Sequence, residues 1–112
     1  MKIFISQPMT GRTPEEVEET YKNAVEDIRN RIAPGASDIE FLNTRNYILP
    51  RTMTRGGHNE NIAMLGHAIQ VMSMADAVYF CEGAEQSRGC ACEHTVAKIY
   101  GIPMFRPEGL AV

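Results

Sequence analysis

Ala77-Val78-Tyr79-Phe80-Cys81 is an unbroken apolar run between two acidic residues, Asp76 and Glu82. A run this short, without polar alternation, reads as a strand buried on both faces. Strands of that kind belong to parallel sheets, in which crossover helices cover both sides.

The rest of the chain has the same rhythm. Ile3 to Ser6 reads as a strand. Thr13-Pro14-Glu15-Glu16 reads as a helix start, with Thr13 as N-cap, Pro14 at the first helical position and Glu16 closing a capping box. Val17, Tyr21, Ala24, Ile28 and Ile32 then form one apolar stripe, and Pro34-Gly35 ends it. Ile39 to Leu42 reads as a second strand. A second helix is expected from Glu60 to Met74, with Ile62, Leu65, Ile69 and Met72 as its apolar face. A third starts after Ser87 and ends at Tyr100, with Gly101 just past its end. Ile102 to Phe105 is the last strand, and Pro103, lacking an N–H, suits an edge.

Strand and helix in strict alternation imply right-handed crossovers. The expected architecture is a three-layer α/β domain with a parallel sheet of four to five strands and helices on both faces. Ligands of such sheets bind beyond the carboxyl ends of the strands. Residues 7–12, 43–58 and 82–87 form the loops at that edge. The middle one is long and polar, and loops of its length are often functional or mobile.

The 112 residues amount to one domain, with a core of ordinary size. A net charge of −3 argues against a nucleic-acid polymer as partner. Arg45, Arg51 and Arg55 are the one basic stretch, read either as a contact for an anionic ligand or as a solvated loop. No apolar run approaches the roughly 20 residues needed to span a bilayer, and Met1 to Ser6 is too short for a secretory signal. Three cysteines leave no even disulfide framework, which suggests a reducing cytoplasm. Cys90 and Cys92 point about 200° apart on a helix, so Cys90, Cys92 and His94 do not converge on a metal. No cofactor is expected.

Several residues carry possible chemistry. In the loop Ser6-Gln7-Pro8-Met9-Thr10-Gly11, Pro8 stiffens the chain and Gly11 permits an unusual backbone angle, so backbone N–H groups can face a ligand. A plain strand-to-helix turn explains the same residues. Ser87 is the expected N-cap of the third helix, whose free N–H groups attract anions. Glu93 lies in that helix's second turn, on a face with Gly89 and Ala97, and Gly89 leaves room one turn earlier. The helix end is expected to hold Glu93 ionised, as a nucleophile must be; the plainer reading is a surface glutamate. Asp76 is expected to cap the turn before the third strand. His58 and His67 are isolated, and each is read as a surface or satisfied histidine.

Two blocks resemble a known family. Ile-Phe-Ile-Ser-Gln-Pro-Met-Thr-Gly, residues 3–11, is similar to a strand and turn reading I-Y-I-S-G-P-M-T-G. Ala75-Asp76-Ala77-Val78-Tyr79-Phe80, followed by Ser87-x-Gly89-x-x-x-Glu93-x-x-x-Ala97, is similar to the signature along the third helix. Both are features of the nucleoside 2-deoxyribosyltransferase-like superfamily, particularly its small branch in bacteria and phages. The likeness covers nearly the whole chain.

The resemblance implies a flavodoxin-like or Rossmann-like domain that acts on a nucleoside or nucleoside 5′-monophosphate. The glutamate matching Glu93 would attack C1′ and expel the base; a second base or water would then take the sugar. Ser6, Gln7, Pro8, Met9, Gly11, Ser87 and Gly89 would bind substrate, with Ser87 at a phosphate, and Asp76 and His67 would support the site. A homodimer or larger homo-oligomer is implied, with a neighbouring subunit completing the pocket. Two positions depart from the pattern. Gln7 replaces a glycine and would fill space near the sugar, and Leu65 to Ile69 lacks the aspartate that assists the leaving base, with His67 beside the expected place. Those departures keep a second function open, a binding or sensing module without catalysis, and a third, a structural protein with a vestigial pocket.

Overall fold

In the computed structural model of the chain, which describes residues 1–50 and 59–107, four parallel strands form the middle layer. They are β1 (Lys2–Ser6), β2 (Glu40–Leu42), β3 (Ala77–Phe80) and β4 (Met104–Phe105), in the order β2-β1-β3-β4. Ile3 lies beside Phe41 on one side and Ala77 on the other, and Val78 lies beside Met104. Chain order reverses between β1 and β3, so the ligand crevice of such a sheet falls between Ser6 and Phe80, at their carboxyl ends.

Three α-helices cover the sheet. In α1 (Pro14–Asp27) the Thr13 hydroxyl accepts from the Glu16 N–H and Glu16 Oε1 accepts from the Thr13 N–H, both at 3.1 Å, so two N-terminal donors are satisfied reciprocally. The helix widens into a π-helical turn, Ile28–Ile32, closed by the Ala33 N–H on the Ile28 carbonyl at 2.8 Å. In α2 (Glu60–Met72) Asn59 is the N-cap. In α3 (Arg88–Tyr100) the Ser87 hydroxyl accepts from the Cys90 N–H at 3.4 Å, and Gly101 closes the helix at φ 72°.

Side chains of a strand alternate between faces, which divides the core in two. Ile3, Ile5, Ala77, Tyr79 and Cys81 face α1, where Ala24 and Ile28 are buried against them. Phe4, Val78 and Phe80 face α2 and α3, where Ala68, Met72, Cys90 and Ala97 are buried. Burying a side chain such as Phe80 contributes roughly 2–3 kcal/mol. One helix therefore serves the first face and two serve the second. A helix is about 10 Å wide and strands lie about 4.8 Å apart, so α1 alone cannot cover four strands.

Some elements differ from expectation. The helix α2 stops at Met72, two residues early, and Ile62 is 66% exposed. At 100° per residue Ile62 lies about 80° from Met72 around the axis, off the sheet-facing line that runs through Ala68 and Met72. Cys81 follows β3 rather than ending it, although it is buried. Pro103 precedes the edge strand β4, and its carbonyl accepts from the Val78 N–H at 2.9 Å. Among the described residues, no helix is long and apolar enough to cross a membrane.

Candidate functional site

Strand parity decides which residues of the first loop meet Glu93. Ser6, the last residue of β1, is 1% exposed and points to the α3 face. Its hydroxyl lies beside the side chains of Glu93 and Cys90. Gln7, the next residue, points the other way: its Nε2 donates to the Val17 carbonyl of α1 at 3.3 Å. Gln7 is thus tucked beneath the first turn of α1 instead of filling space near a sugar.

Glu93 is 7% exposed and forms the inner line of α3 with Cys90 and Ala97. It is not a surface glutamate. Burial pushes its carboxyl up from 4.5 to about 7; the neighbouring Ser6 hydroxyl opposes this only in part. The expected stabilisation of the anion by the helix end is outweighed. That effect fades beyond the first turn, and Glu93 is in the second.

Polar atoms without partners collect at this edge. Ser6 Oγ, Glu93 Oε2, His94 Nε2 and Gln7 Oε1 are buried and make no hydrogen bond of acceptable geometry among the described residues. Buried polar groups are nearly always bonded, so a concentration of orphans at a sheet's ligand edge is informative. The His94 ring lies 5.3 Å from Phe80, whose other neighbour is the Arg106 guanidinium at 5.6 Å. Arg106 also pairs with Glu85 at 3.3 Å, and its Nε is orphaned as well. Burial raises the Cys90 thiol, with the Ser6 and Ser87 hydroxyls opposing. Cys92, two residues on, is exposed.

Around this group Ser87 caps α3, and a Cβ added to Gly89 would meet nothing within 4 Å, so the space over the helix start is open. In the first loop the Arg12 N–H closes a turn on the Met9 carbonyl at 3.2 Å, and Gly11 adopts φ 78°. Pro8 and Arg12 lie close to the loop after β3: a Cβ on Gly83 would be 3.6 Å from Pro8 Cγ and 3.2 Å from Arg12 Nη2. Gly83 is held at φ 86°.

Other candidates lie apart. Asp76 stands at the opposite end of the sheet, where its Oδ2 accepts from the Lys2 N–H at 2.7 Å; it fastens β1 to β3 and caps no turn. His67 stacks on Tyr47 with ring centres 3.5 Å apart and planes 9° from parallel. Arg45 pairs with Glu18 at 3.1 Å and lies over Tyr21, so it pins the loop after β2 to α1. Arg51, Arg55 and His58 lie outside the described residues.

A cavity of about 650 Å³ opens at the same edge but on the α1 face. Arg12, Ala24, Asp27, Tyr79, Cys81 and Glu82 are among its walls, and Glu93 is not. It occupies the half of the face that α1 leaves uncovered. Burial pushes the Cys81 thiol up to about 12, so that wall is neutral.

No spacing in the sequence ties His94 or Arg106 to this site. Among the described residues no group of three His, Cys, Asp or Glu is placed to hold a metal ion. Arg106 reaches Phe80 and Glu85 through tertiary structure alone, so no spacing announces it. No curated protein and no solved structure matches the chain. A family described as a domain of unknown function, DUF4406, matches residues 1–106, and the chain belongs to that family.

Proposed function

We propose that the protein cleaves the N-glycosidic bond of a nucleoside or nucleoside 5′-monophosphate, with Glu93 as nucleophile. The observation that carries this is the Glu93 carboxyl itself. It is buried, has one oxygen without a partner among the described residues, and lies against Ser6 at the crevice between β1 and β3.

In the first step a Glu93 oxygen forms a bond to C1′ as the C1′–N bond breaks. The electron pair of that bond leaves with the base nitrogen, which takes a proton. In the second step water, or the nitrogen of another base, attacks C1′; it loses a proton, and the glutamate leaves as carboxylate. The Ser6 hydroxyl is placed to orient the carboxyl, and Ser87 with Gly89 bounds the open space over α3 where the sugar or its phosphate would rest. Three free cysteines suit a reducing cytoplasm, where nucleotides are abundant. A second copy of the chain completing the pocket belongs to the same proposal.

The test is incubation with deoxynucleosides, ribonucleosides and their monophosphates, with chromatography for free base. Release by the protein and not by Glu93→Gln supports the reading; no release across the panel rejects it.

Two observations favour a second reading, a binding module without chemistry. The 650 Å³ cavity does not reach Glu93, and His67, beside the place of the missing aspartate, is engaged with Tyr47. Such a module would be stabilised by intact nucleotides and would leave them unconsumed.

A further inference from the structure

The cavity on the α1 face has no part in the chemistry assigned to Glu93, and its walls have a charge pattern of their own. Asp27, Glu82, Glu85 and Arg12 all line it. Two of these are neutralised by neighbours. Asp27 is gripped by Arg31 at 2.8 Å through two nitrogens and accepts from the Tyr79 hydroxyl at 2.6 Å. Glu85 is paired with Arg106 at 3.3 Å. Arg12 and Glu82 have no ion pair among the described residues, with each other or with anything else.

Arg12 and Glu82 belong to the two loops that flank the crevice, one after β1 and one after β3. The Arg12 guanidinium lies over Gly83, where a Cβ would come within 3.2 Å of it. The cavity thus carries one cation and one anion without an ion pair, Arg12 acting only through space on Glu16, above a floor that includes Ala24 and the neutral Cys81 thiol. Unlike charges left apart on a partly enclosed surface favour a ligand with the reverse arrangement. A guanidinium is the best side chain for a carboxylate, because its parallel donors match the two oxygens.

We propose that this cavity is a second small-molecule site, for a zwitterion whose carboxylate pairs with Arg12 and whose ammonium group pairs with Glu82. A volume of about 650 Å³ exceeds what a bare amino and carboxyl pair fills and lies within the usual range for ligand pockets. Thr20, Asn23 and Gln86 supply polar side chains for the remainder. Free α-amino acids are the simplest members of this class. The inference is independent of the glycosidic reading, since the sheet lies between this cavity and Glu93.

The experiment is thermal shift and calorimetric titration of the whole protein with the free α-amino acids, then with the N-acetylated and decarboxylated forms of whichever binds. At least one free amino acid should raise Tm saturably. Its two singly charged forms should bind about tenfold more weakly or worse. Arg12→Gln and Glu82→Gln should each weaken binding by a similar factor; both side chains are exposed, and the unliganded Tm of each variant verifies its folding. Glu93→Gln should leave binding unchanged within about twofold. Three results would overturn the proposal: no stabilisation by any amino acid, equal binding of a singly charged form, or undiminished binding in both cavity variants. Loss of binding in Glu93→Gln would place the ligand on the other face and overturn it too. Free-base release is measured separately, so failure of one proposal does not count against the other.

Discussion

Tyr79 donates a 2.6 Å hydrogen bond to Oδ2 of Asp27, and this bond fastens β3 to the last turn of α1. Arg31 grips the same carboxylate at 2.8 Å and reaches on to the Arg106 carbonyl at 2.5 Å, so a short chain of bonds borders the half of that face that α1 leaves uncovered. Arg31 holds Asp27 below its usual value, and burial, helped by Asp27, raises Tyr79. Tyr79→Phe should therefore lower stability by about 1–2 kcal/mol in urea unfolding. In a tyrosine absorbance titration, Tyr79→Phe should remove a phenol that ionises above the usual range.

The Asp27 contribution has a defined pH window. Its folded pKa lies below the unfolded 3.8. The stability it adds is fully present above that value and is lost as pH falls through the folded one. Asp27→Asn should thus be less stable than the parent at neutral pH, with the gap closing in strong acid. Unfolding curves across the acid range would read this directly.

Glu93 works in the opposite sense. Its folded pKa, about 7, exceeds the unfolded 4.5. Between those values the folded state holds more protons, so stability falls as pH rises and levels off above about 7, by at most about 3 kcal/mol. Glu93→Gln removes the titrating group and should flatten this limb, leaving the variant more stable than the parent at pH 8 and little different at pH 5. A flat difference between parent and variant from pH 5 to 8 would contradict the burial of this carboxyl.

Activity should follow the same group with a different sign. A nucleophile must be ionised, so base release should rise through about pH 7 and then level off. The measurement is kcat/KM against pH on whichever nucleotide is turned over.

The glycines separate strain from contact. Gly101 sits at φ 72° in open space, so Gly101→Ala should cost about 1 kcal/mol from backbone strain alone. Gly83, at φ 86°, carries the same strain; a Cβ there would meet Pro8 at ordinary contact distance and the movable Arg12 guanidinium at 3.2 Å, so Gly83→Ala should cost about as much. Gly89 is helical and unobstructed. Gly89→Ala should be neutral or slightly stabilising, by a few tenths of a kcal/mol, yet should impair nucleotide turnover by filling the space over α3.

Much of the fold was legible because its signals are local. Thr13, Pro14 and Glu16 announce one helix, Ser87 and Gly101 bracket another, and the apolar run at 77–81 announces the central strand. The position of Glu93 was legible too, from its spacing to Ser87 and Gly89. Its state was not, because a helix end's pull, usually worth about 1 kcal/mol or less and fading after the first turn, is outweighed by burial, and burial depends on what β1 brings opposite it. Gln7 departs from expectation because alternation along β1 sends it away from Ser6, to the Val17 carbonyl of α1. The cavity had no local signature. Asp27 and Tyr79 are 52 residues apart, and only the folded sheet makes them neighbours.

The segment from Glu82 to Ser87 separates two chambers. Its outer residues form a wall of the cavity, and its end caps the helix that carries Cys90 and Glu93. Unbroken backbone bonds run through it, from Gln86 to Gly83, Ser87 to Ala84 and Ala91 to Ser87, at 2.9–3.1 Å. Because one run of backbone serves both rooms, a substitution that unravelled it would break the cavity's wall and loosen the start of α3 together.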